Sequence, residues 1–212
     1  MVVLDLFCGT KSISKAFKAR GHTTYTIDWD QGFNPTLAAD IGTLTAADII
    51  KLCGCVPDVI WASPDCTTYS VSHLRTHRRK EADGRLAPVS EYAKRCDEIN
   101  AHLIELIQEL KPRYWFIENP VGCMRKMAFM QGLPRYTLTY CQYGERRQKP
   151  TDIWTNHPNP AFKPPCKRGA PCHDAAPRGT WQSGTQALKN RVEKARIPEQ
   201  LCNHIVTICE EV

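Results

Sequence analysis

Val2-Val3-Leu4-Asp5-Leu6-Phe7-Cys8-Gly9-Thr10, at the start of the chain, is the stretch whose reading decides the fold. Its apolar run is that of a buried strand, and Cys8-Gly9-Thr10 is the tight turn that ends it. A helix is expected from about Lys11 to Arg20, with Ile13, Ala16 and Phe17 on one face and Gly21 as its stop. Working outward, Thr23 to Ile27 reads as a second strand running into Asp28-Trp29-Asp30, and Thr45 as the N-cap of a short helix to Leu52. Pro57 to Ala62 is a third strand, ending before Ser63-Pro64-Asp65-Cys66. After a polar stretch to about Pro88 without clear periodicity, Ser90 to Leu110 is the best helix, with Ile99, Leu103, Leu106 and Leu110 at helical spacing. Arg113 to Ile117, Tyr136 to Cys141 and Asp152 to Trp154 read as strands, and His157 to about Gly184 as loop. A closing helix is expected over Ile197 to Glu211, with Pro198 in its first turn.

Alternation of strands and helices predicts an α/β fold with a doubly wound, mostly parallel sheet. Ligands bind such sheets at the carboxyl ends of the strands. Phe7-Cys8-Gly9, Asp28-Trp29, Pro64-Asp65-Cys66 and Glu118-Asn119 all fall at those ends.

The chain has 212 residues, 42% of them hydrophobic, which suits one globular domain. No apolar run approaches the roughly 18 residues of a membrane span. The first residues lack a basic start followed by a long apolar stretch, so a cytoplasmic protein of a bacterial or phage-infected cell is expected. Eleven cysteines, an odd and scattered set, then point to free thiols, metal ligands or a nucleophile rather than disulfides. The net charge of +6 is compatible with a nucleic-acid partner without requiring one. Basic side chains gather after Cys66 (His73, Arg75, His77, Arg78, Arg79, Lys80) and again at Arg146, Arg147 and Lys149. Each group is either a solvated loop or a phosphate-binding surface.

The glycine turn lets a ligand approach the backbone, and Asp28 is placed to accept from ribose hydroxyls. The turn departs from Gly-x-Gly-x-x-Gly, since Gly9 stands alone in it. Trp29 suits either the core or stacking on an adenine. Asp40, before Ile41, is either a cap or an acceptor for an exocyclic amine.

Three motifs together resemble the cytosine-5 DNA methyltransferases. Asp5-Leu6-Phe7-Cys8-Gly9 is similar to the family's first motif. Ser63-Pro64-Asp65-Cys66 with Ser70 resembles the catalytic Pro-Cys loop, and Glu118-Asn119-Pro120 resembles the Glu-Asn-Val motif. They come in family order over roughly residues 1 to 155. The resemblance implies an S-adenosylmethionine-dependent core over 1–155, a reduced target-recognition or loop region over 156–186, and a C-terminal helix over 187–212 that returns to the core. It implies cofactor contacts at Asp5, Phe7, Cys8, Gly9, Asp28, Trp29, Asp40, Ile41 and Pro64. It also implies DNA contacts at Ser70, His73, Arg75, Arg78, Arg79, Lys80 and Arg146.

The implied chemistry requires these residue types. Cytosine C5 is a poor nucleophile until a thiolate adds at C6, and Cys66 would supply that thiolate. Glu118 would hold the N3/N4 edge and the proton the ring gains, and Asn119 would hold the loop around Cys66. A target base in a duplex must be flipped out to reach such a site.

Several features depart from the family. Asp65 stands where a second proline is usual, and a carboxylate there disfavours the thiolate. The Gln-x-Arg-x-Arg motif is not intact: Lys149 falls on its first arginine and Thr151 on its second, leaving Arg147 or Lys149 to serve near the base carbonyl. The family's C-terminal cofactor motif is not recognisable, although Ile197 to Leu201 can start a helix near the cofactor pocket. With so little recognition surface, specificity is short, relaxed or supplied by an accessory partner; a monomer of phage or prophage type, with a role of the restriction–modification kind, is expected. Cys166, Cys172 and His173, with His157 upstream, offer zinc ligands, but their spacing is not paired Cys-x-x-Cys and free thiols are the preferred reading. The competing functions are a related transferase acting on RNA, a free nucleotide or a modified methyl donor, and a catalytically silent nucleic-acid-binding module.

Overall fold

A strand with neighbours on both edges and helices over both faces is largely apolar, and the first strand meets that demand at every position but Asp5, which is buried within it. The computed structural model describes residues 1–177, 180 and 182–211. Strand β1 spans Val2–Leu6, and helix α1, Ser12–Ala19, leads to β2, Thr23–Asp28, and the short β3, Leu37–Ala38. Helix α2, Ala46–Cys53, precedes β4, Val59–Ala62. A helical turn α3, Leu74–His77, then opens a hairpin of β5, Arg78–Lys80, and β6, Leu86–Pro88. Helix α4, Glu91–Leu110, leads into β7, Tyr114–Pro120, β8, Arg135–Thr139, and β9, Pro150–Thr155. Short helices α5, Gly184–Ala187, and α6, Arg191–Ala195, lead to α7, Glu199–Glu210.

Seven strands form one sheet in the order β3-β2-β1-β4-β7-β9-β8. Pairing is parallel from β3 through β7, and β9 runs antiparallel to both β7 and β8. The expected doubly wound, mostly parallel sheet is therefore the one observed. The two-residue period of the strands divides the core. On one face Leu4, Leu6, Ile60 and Ile117 pack with Ile49 of α2 and Leu103 and Leu106 of α4. On the other, Val3, Val59, Trp61 and Phe116 pack with Ile13 and Phe17 of α1 and with Leu201, Ile205 and Val206 of α7.

Most boundaries lie within two residues of those expected. Thr45 caps α2 in a full capping box with Asp48, and Ser90 caps α4 through Ala93 N–H. Pro198 is the N-cap of α7, one position before the first turn expected for it. Strand β7 is three residues longer than its apolar run, because β9 pairs with it as far as Pro120↔Thr151 and carries Glu118 and Asn119 inside the sheet. The polar stretch before Pro88 holds a hairpin that periodicity does not reveal, turned at Asp83-Gly84 with Gly84 at positive φ. In the expected recognition region 156–186, residues 178, 179 and 181 lie outside those described. Among the described residues, no helix is long and apolar enough to cross a membrane.

Candidate active site

The chain order reverses direction across the sheet between β1 and β4, and a cleft opens at their carboxyl ends. It is lined by Asp5, Phe7, Cys8, Gly9, Thr10, Ser63 and Trp61, and closed by Ala195 and Ile197 from the segment before α7. A larger apolar groove, lined by Ile104, Lys111, Trp115 and Asn156, lies at the opposite end of the strands.

The turn after β1 places Phe7, Gly9 and Lys11 at positive φ. Asp28 closes this turn: its carboxylate accepts from Gly9 N–H at 2.9 Å and from Asp30 N–H at 3.0 Å. Asp28 is thus on the cleft rim beside the glycine. Asp5 is buried, accepts from Ser14 N–H at 3.2 Å, and is pushed up to about 7, chiefly by desolvation. Trp29 is 70% exposed, so the core reading is excluded and its ring is open for stacking. Asp40 is a cap: one oxygen accepts from Gly42 N–H and the other pairs with Arg95. Ile41 is buried in the core beneath it. One hydrogen bond to each oxygen and a partly exposed side chain leave Asp40 further acceptor capacity.

Pro64, Asp65 and Cys66 follow β4 after Ser63. Asn119 Nδ2 donates to Pro64 O at 3.0 Å across the β4–β7 pair. Asp65 Oδ1 accepts from Thr67 N–H at 2.6 Å, and Cys66 begins a helical turn over Thr67–Tyr69. The Cys66 thiol is pushed up to about 11, first by burial and then by the Asp65 and Glu118 carboxylates, with Lys149 opposing them. Asp65 therefore acts against the thiolate in the direction its position in sequence implies.

Glu118 is buried and accepts from Tyr140 Oη–H at 2.8 Å. Lys149, at φ 32°, carries its ammonium to 4.4 Å from the Tyr140 ring centroid and donates to Lys194 O at 2.9 Å. Burial lowers its pKa, while Glu118 and Cys66 hold it up. Three groups far apart in sequence, Cys66, Glu118 and Lys149, are therefore close enough to act on one another electrostatically. Arg147 is buried beside them; its Nη2 donates to Glu145, while Nε and Nη1 have no partner among the described residues. Thr151, at the expected site of the second arginine, is buried and donates to Lys149 O.

The basic stretch after Cys66 splits in two. His73, Arg75, Arg79 and Lys80 are exposed, Ser70 is half-buried, and Arg146 is exposed in an ion pair with Asp174. Arg78 departs from the expectation of a phosphate contact. Its guanidinium is buried, donates to Thr68 O and twice to Asp97, and lies 4.4 Å over the Tyr69 ring. Tyr69 in turn donates to Asp97 and accepts from Asn100. This network fastens the loop after Cys66 to α4, and no periodic signal announces it.

Cys166, Cys172 and His173 are gathered near one another, joined by Cys141, a residue expected at the end of a strand. His157 is not with them: it is buried against Tyr114 and Phe116, with Nε2 3.1 Å from Ile208 O. Tyr140, Asp97 and Gly122 are the other residues at the site that sequence reasoning misses. Gly122 alone has a readable cue, two residues after Glu118-Asn119-Pro120. A Cβ there would meet Tyr69 O at 2.3 Å.

The sheet order, the glycine turn with its acidic partner, and the cysteine–glutamate pair at adjacent strand ends define a methyltransferase fold of the S-adenosylmethionine-dependent class. No protein-family model matches the chain. It is 30% identical over 168 residues to a protein of Frog virus 3 (isolate Goorha) described as a probable DNA (cytosine-5)-methyltransferase, covering 74% of this chain and 71% of that one. Among solved structures, a DNA modification methyltransferase encoded within an Escherichia coli prophage superposes with a TM-score of 0.55 at 17% identity, covering 73% of this chain and 46% of that one. The Schizosaccharomyces pombe Dnmt2 methyltransferase superposes at 0.51 and 16% identity, covering 73% and 50%. The chain thus spans about half the length of these solved structures. It belongs to the DNA (cytosine-5)-methyltransferase family.

Proposed function

We propose that this chain transfers a methyl group from S-adenosylmethionine to C5 of a flipped cytosine in DNA, through a covalent bond between Cys66 and C6. The observation that carries the reading is the convergence of Cys66, Glu118 and Lys149 at the carboxyl ends of β4 and β7, beside the β1–β4 cleft.

The turn after β1 and its rim offer groups whose chemistry suits the cofactor. The turn is open at Gly9, Asp28 is on the rim and the Trp29 ring is free to stack. Asp5, Phe7, Cys8, Gly9, Asp28 and Trp29 would hold S-adenosylmethionine, which supplies an electrophilic methyl group when bound. Cys66 Sγ adds to C6 as its proton leaves, and the electron pair displaced from the C5–C6 bond makes C5 nucleophilic. Glu118, fixed on one oxygen by Tyr140, would hold the N3/N4 edge of the base and stabilise on N3 the proton that leaves the Cys66 thiol as it adds. Lys149 would lower the cost of the thiolate beside Asp65 and face the base carbonyl, in the place of the family's arginine. The unpaired Nε and Nη1 of Arg147 provide a second donor set nearby. Loss of the C5 proton to a base then expels Cys66 and restores the ring.

The exposed His73, Arg75, Arg79 and Lys80 would contact phosphates and set register without reading sequence. A viral setting is supported by the Frog virus 3 relative.

The test is nucleoside mass spectrometry on mixed DNA incubated with the protein and isotope-labelled S-adenosylmethionine. Labelled 5-methylcytosine is expected from the wild type and none from Cys66→Ser, which should still bind the cofactor. DNA carrying 5-fluorocytosine should trap the wild type as an adduct stable to denaturation. Label on RNA alone, or undiminished transfer by Cys66→Ser, would overturn the reading.

A further inference from the structure

Cys141 lies in the helical turn after β8, and Cys166, Cys172 and His173 lie in the irregular segment beyond β9. Their ligand atoms all fall within 4.8 Å of one another. Cys141 Sγ is 3.1 Å from Cys166 Sγ and 3.6 Å from Cys172 Sγ. His173 Nδ1 is 3.5 Å from the sulfurs of both Cys166 and Cys172. Zinc bound tetrahedrally at about 2.3 Å from sulfur and about 2.0 Å from nitrogen holds its ligand atoms roughly 3.5–3.8 Å apart. The four groups are thus close to the positions that one ion would impose. A disulfide accounts for them less well: it needs sulfurs at about 2.05 Å, joins two of the three, and gives His173 no reason to be there.

Two further observations favour an ion. Gln148 Nε2 lies 3.4 Å from Cys166 Sγ, and Gln142 Nε2 lies 3.6 Å from Cys172 Sγ. Amide donors aimed at sulfur stabilise thiolates, as outer-shell partners of metal ligands do. In addition, no residue from 161 to 176 is buried, so this segment has no core of its own to hold its shape.

We propose that Cys141, Cys166, Cys172 and His173 bind one structural zinc ion, which staples residues 161–176 to the loop that delivers Arg147 and Lys149. Four protein ligands close the coordination shell, so the ion is structural and takes no substrate. Each thiol gives its proton to solvent as it binds. The residue after His173 completes the staple: Asp174 N–H donates to Arg146 O at 2.9 Å, and its carboxylate accepts from the Arg146 guanidinium. The ion would thereby order the chain three residues before Lys149. The proposed ion rests on its own ligands and not on the reaction proposed above.

The test is elemental analysis of the full-length protein purified without chelator, alongside Cys172→Ser and Cys55→Ser. Cys172 and Cys55 are both exposed, and Cys55 is outside the cluster, so both variants should fold. One zinc per chain is expected in the wild type and in Cys55→Ser, with several-fold less in Cys172→Ser. Cobalt(II) added to metal-free wild type should give the visible bands of a tetrahedral thiolate site. A chelator should expose Lys167 and Arg168 to trypsin. Wild-type protein without zinc, equal zinc in Cys172→Ser, another metal in its place, or a Cys141–Cys166 disulfide in a non-reducing peptide map would each overturn the proposal. Should Cys172→Ser misfold, the metal content and cobalt spectrum of the wild type still decide.

Discussion

Tyr140 donates its phenolic hydrogen to Glu118 at 2.8 Å, and both side chains are buried where the Cys66 loop meets β7. Tyr140 is held in place by the Lys149 ammonium over its ring and by its backbone N–H to Gln148 O. One oxygen of Glu118 is therefore held by Tyr140, and under the proposed mechanism the other meets the base. Tyr140→Phe leaves a buried acceptor without its donor, which costs about 1–3 kcal/mol of stability. Under the proposed mechanism, kcat should fall about tenfold or more while KM for S-adenosylmethionine stays unchanged. Thermal denaturation and steady-state kinetics together check this, and an unchanged kcat would remove Tyr140 from the site.

Burial and, after it, Asp65 give Cys66 a pH dependence. The Cys66 thiol stands at about 11, so the neutral form dominates near pH 7 and the thiolate grows as pH rises toward that value. Asp65→Asn removes a nearby negative charge and should move the profile to lower pH. A thiol pKa lower by about one raises the thiolate fraction at neutral pH about tenfold. Iodoacetamide alkylation of Cys66, followed by mass spectrometry across pH, reads the change directly. Superimposed profiles would mean that Asp65 does not govern the nucleophile.

Gly122 keeps the two halves of the site in register. Its backbone runs so close to Tyr69 O that a Cβ would stand 2.3 Å away, while Cys123 N–H donates to the same oxygen at 2.8 Å. Gly122→Ala must push the turn after Glu118 away from the turn after Cys66. Overpacking of this kind costs about 1–3 kcal/mol. Methyl transfer should fall further than stability alone explains, with cofactor affinity preserved, as calorimetry would show.

Arg78 and its basic neighbours should respond differently to removal. Arg78→Ala leaves Asp97 and Tyr69 without their buried partner and should cost roughly 3–5 kcal/mol of folding stability. Arg75→Ala or Lys80→Ala should leave stability near wild type and weaken DNA binding at every sequence. Each should also reduce the slope of log affinity against log salt by about 0.9 for a lost duplex contact. Chemical denaturation and binding across a salt series separate the two classes.

Much of this architecture was legible in local pattern. The runs over Val2–Leu6 and Val59–Ala62 read as strands because a strand covered on both faces is mostly apolar, and Asp5 is the one polar residue in either run. Thr45 and Ser90 read as caps because a side-chain oxygen there satisfies an N–H that the helix cannot. Glu118 and Asn119 read as lying past a strand end, since their own polarity breaks the apolar run. Only pairing with β9 draws them into the sheet. The charged stretch after Cys66 carries no sign of which arginine turns inward, because burial of Arg78 depends on Asp97, 19 residues away on α4.

By itself, then, the sequence determined the parallel sheet, the glycine turn, and the presence of Cys66 and Glu118 at its strand ends. Each of these follows from hydrophobic period, turn chemistry or residue type within a few neighbouring positions. The tertiary structure alone decided that Lys149 reaches Glu118 and Cys66, that Tyr140 fixes Glu118, that Arg78 is internal, and that Cys141 joins Cys166, Cys172 and His173. Those relationships join residues brought together by packing, such as Lys149 with Lys194 O 45 positions on and Cys141 with Cys166 25 positions on. Local periodicity encodes no contact at such separations; the burial and hydrogen bonding of the folded chain select it.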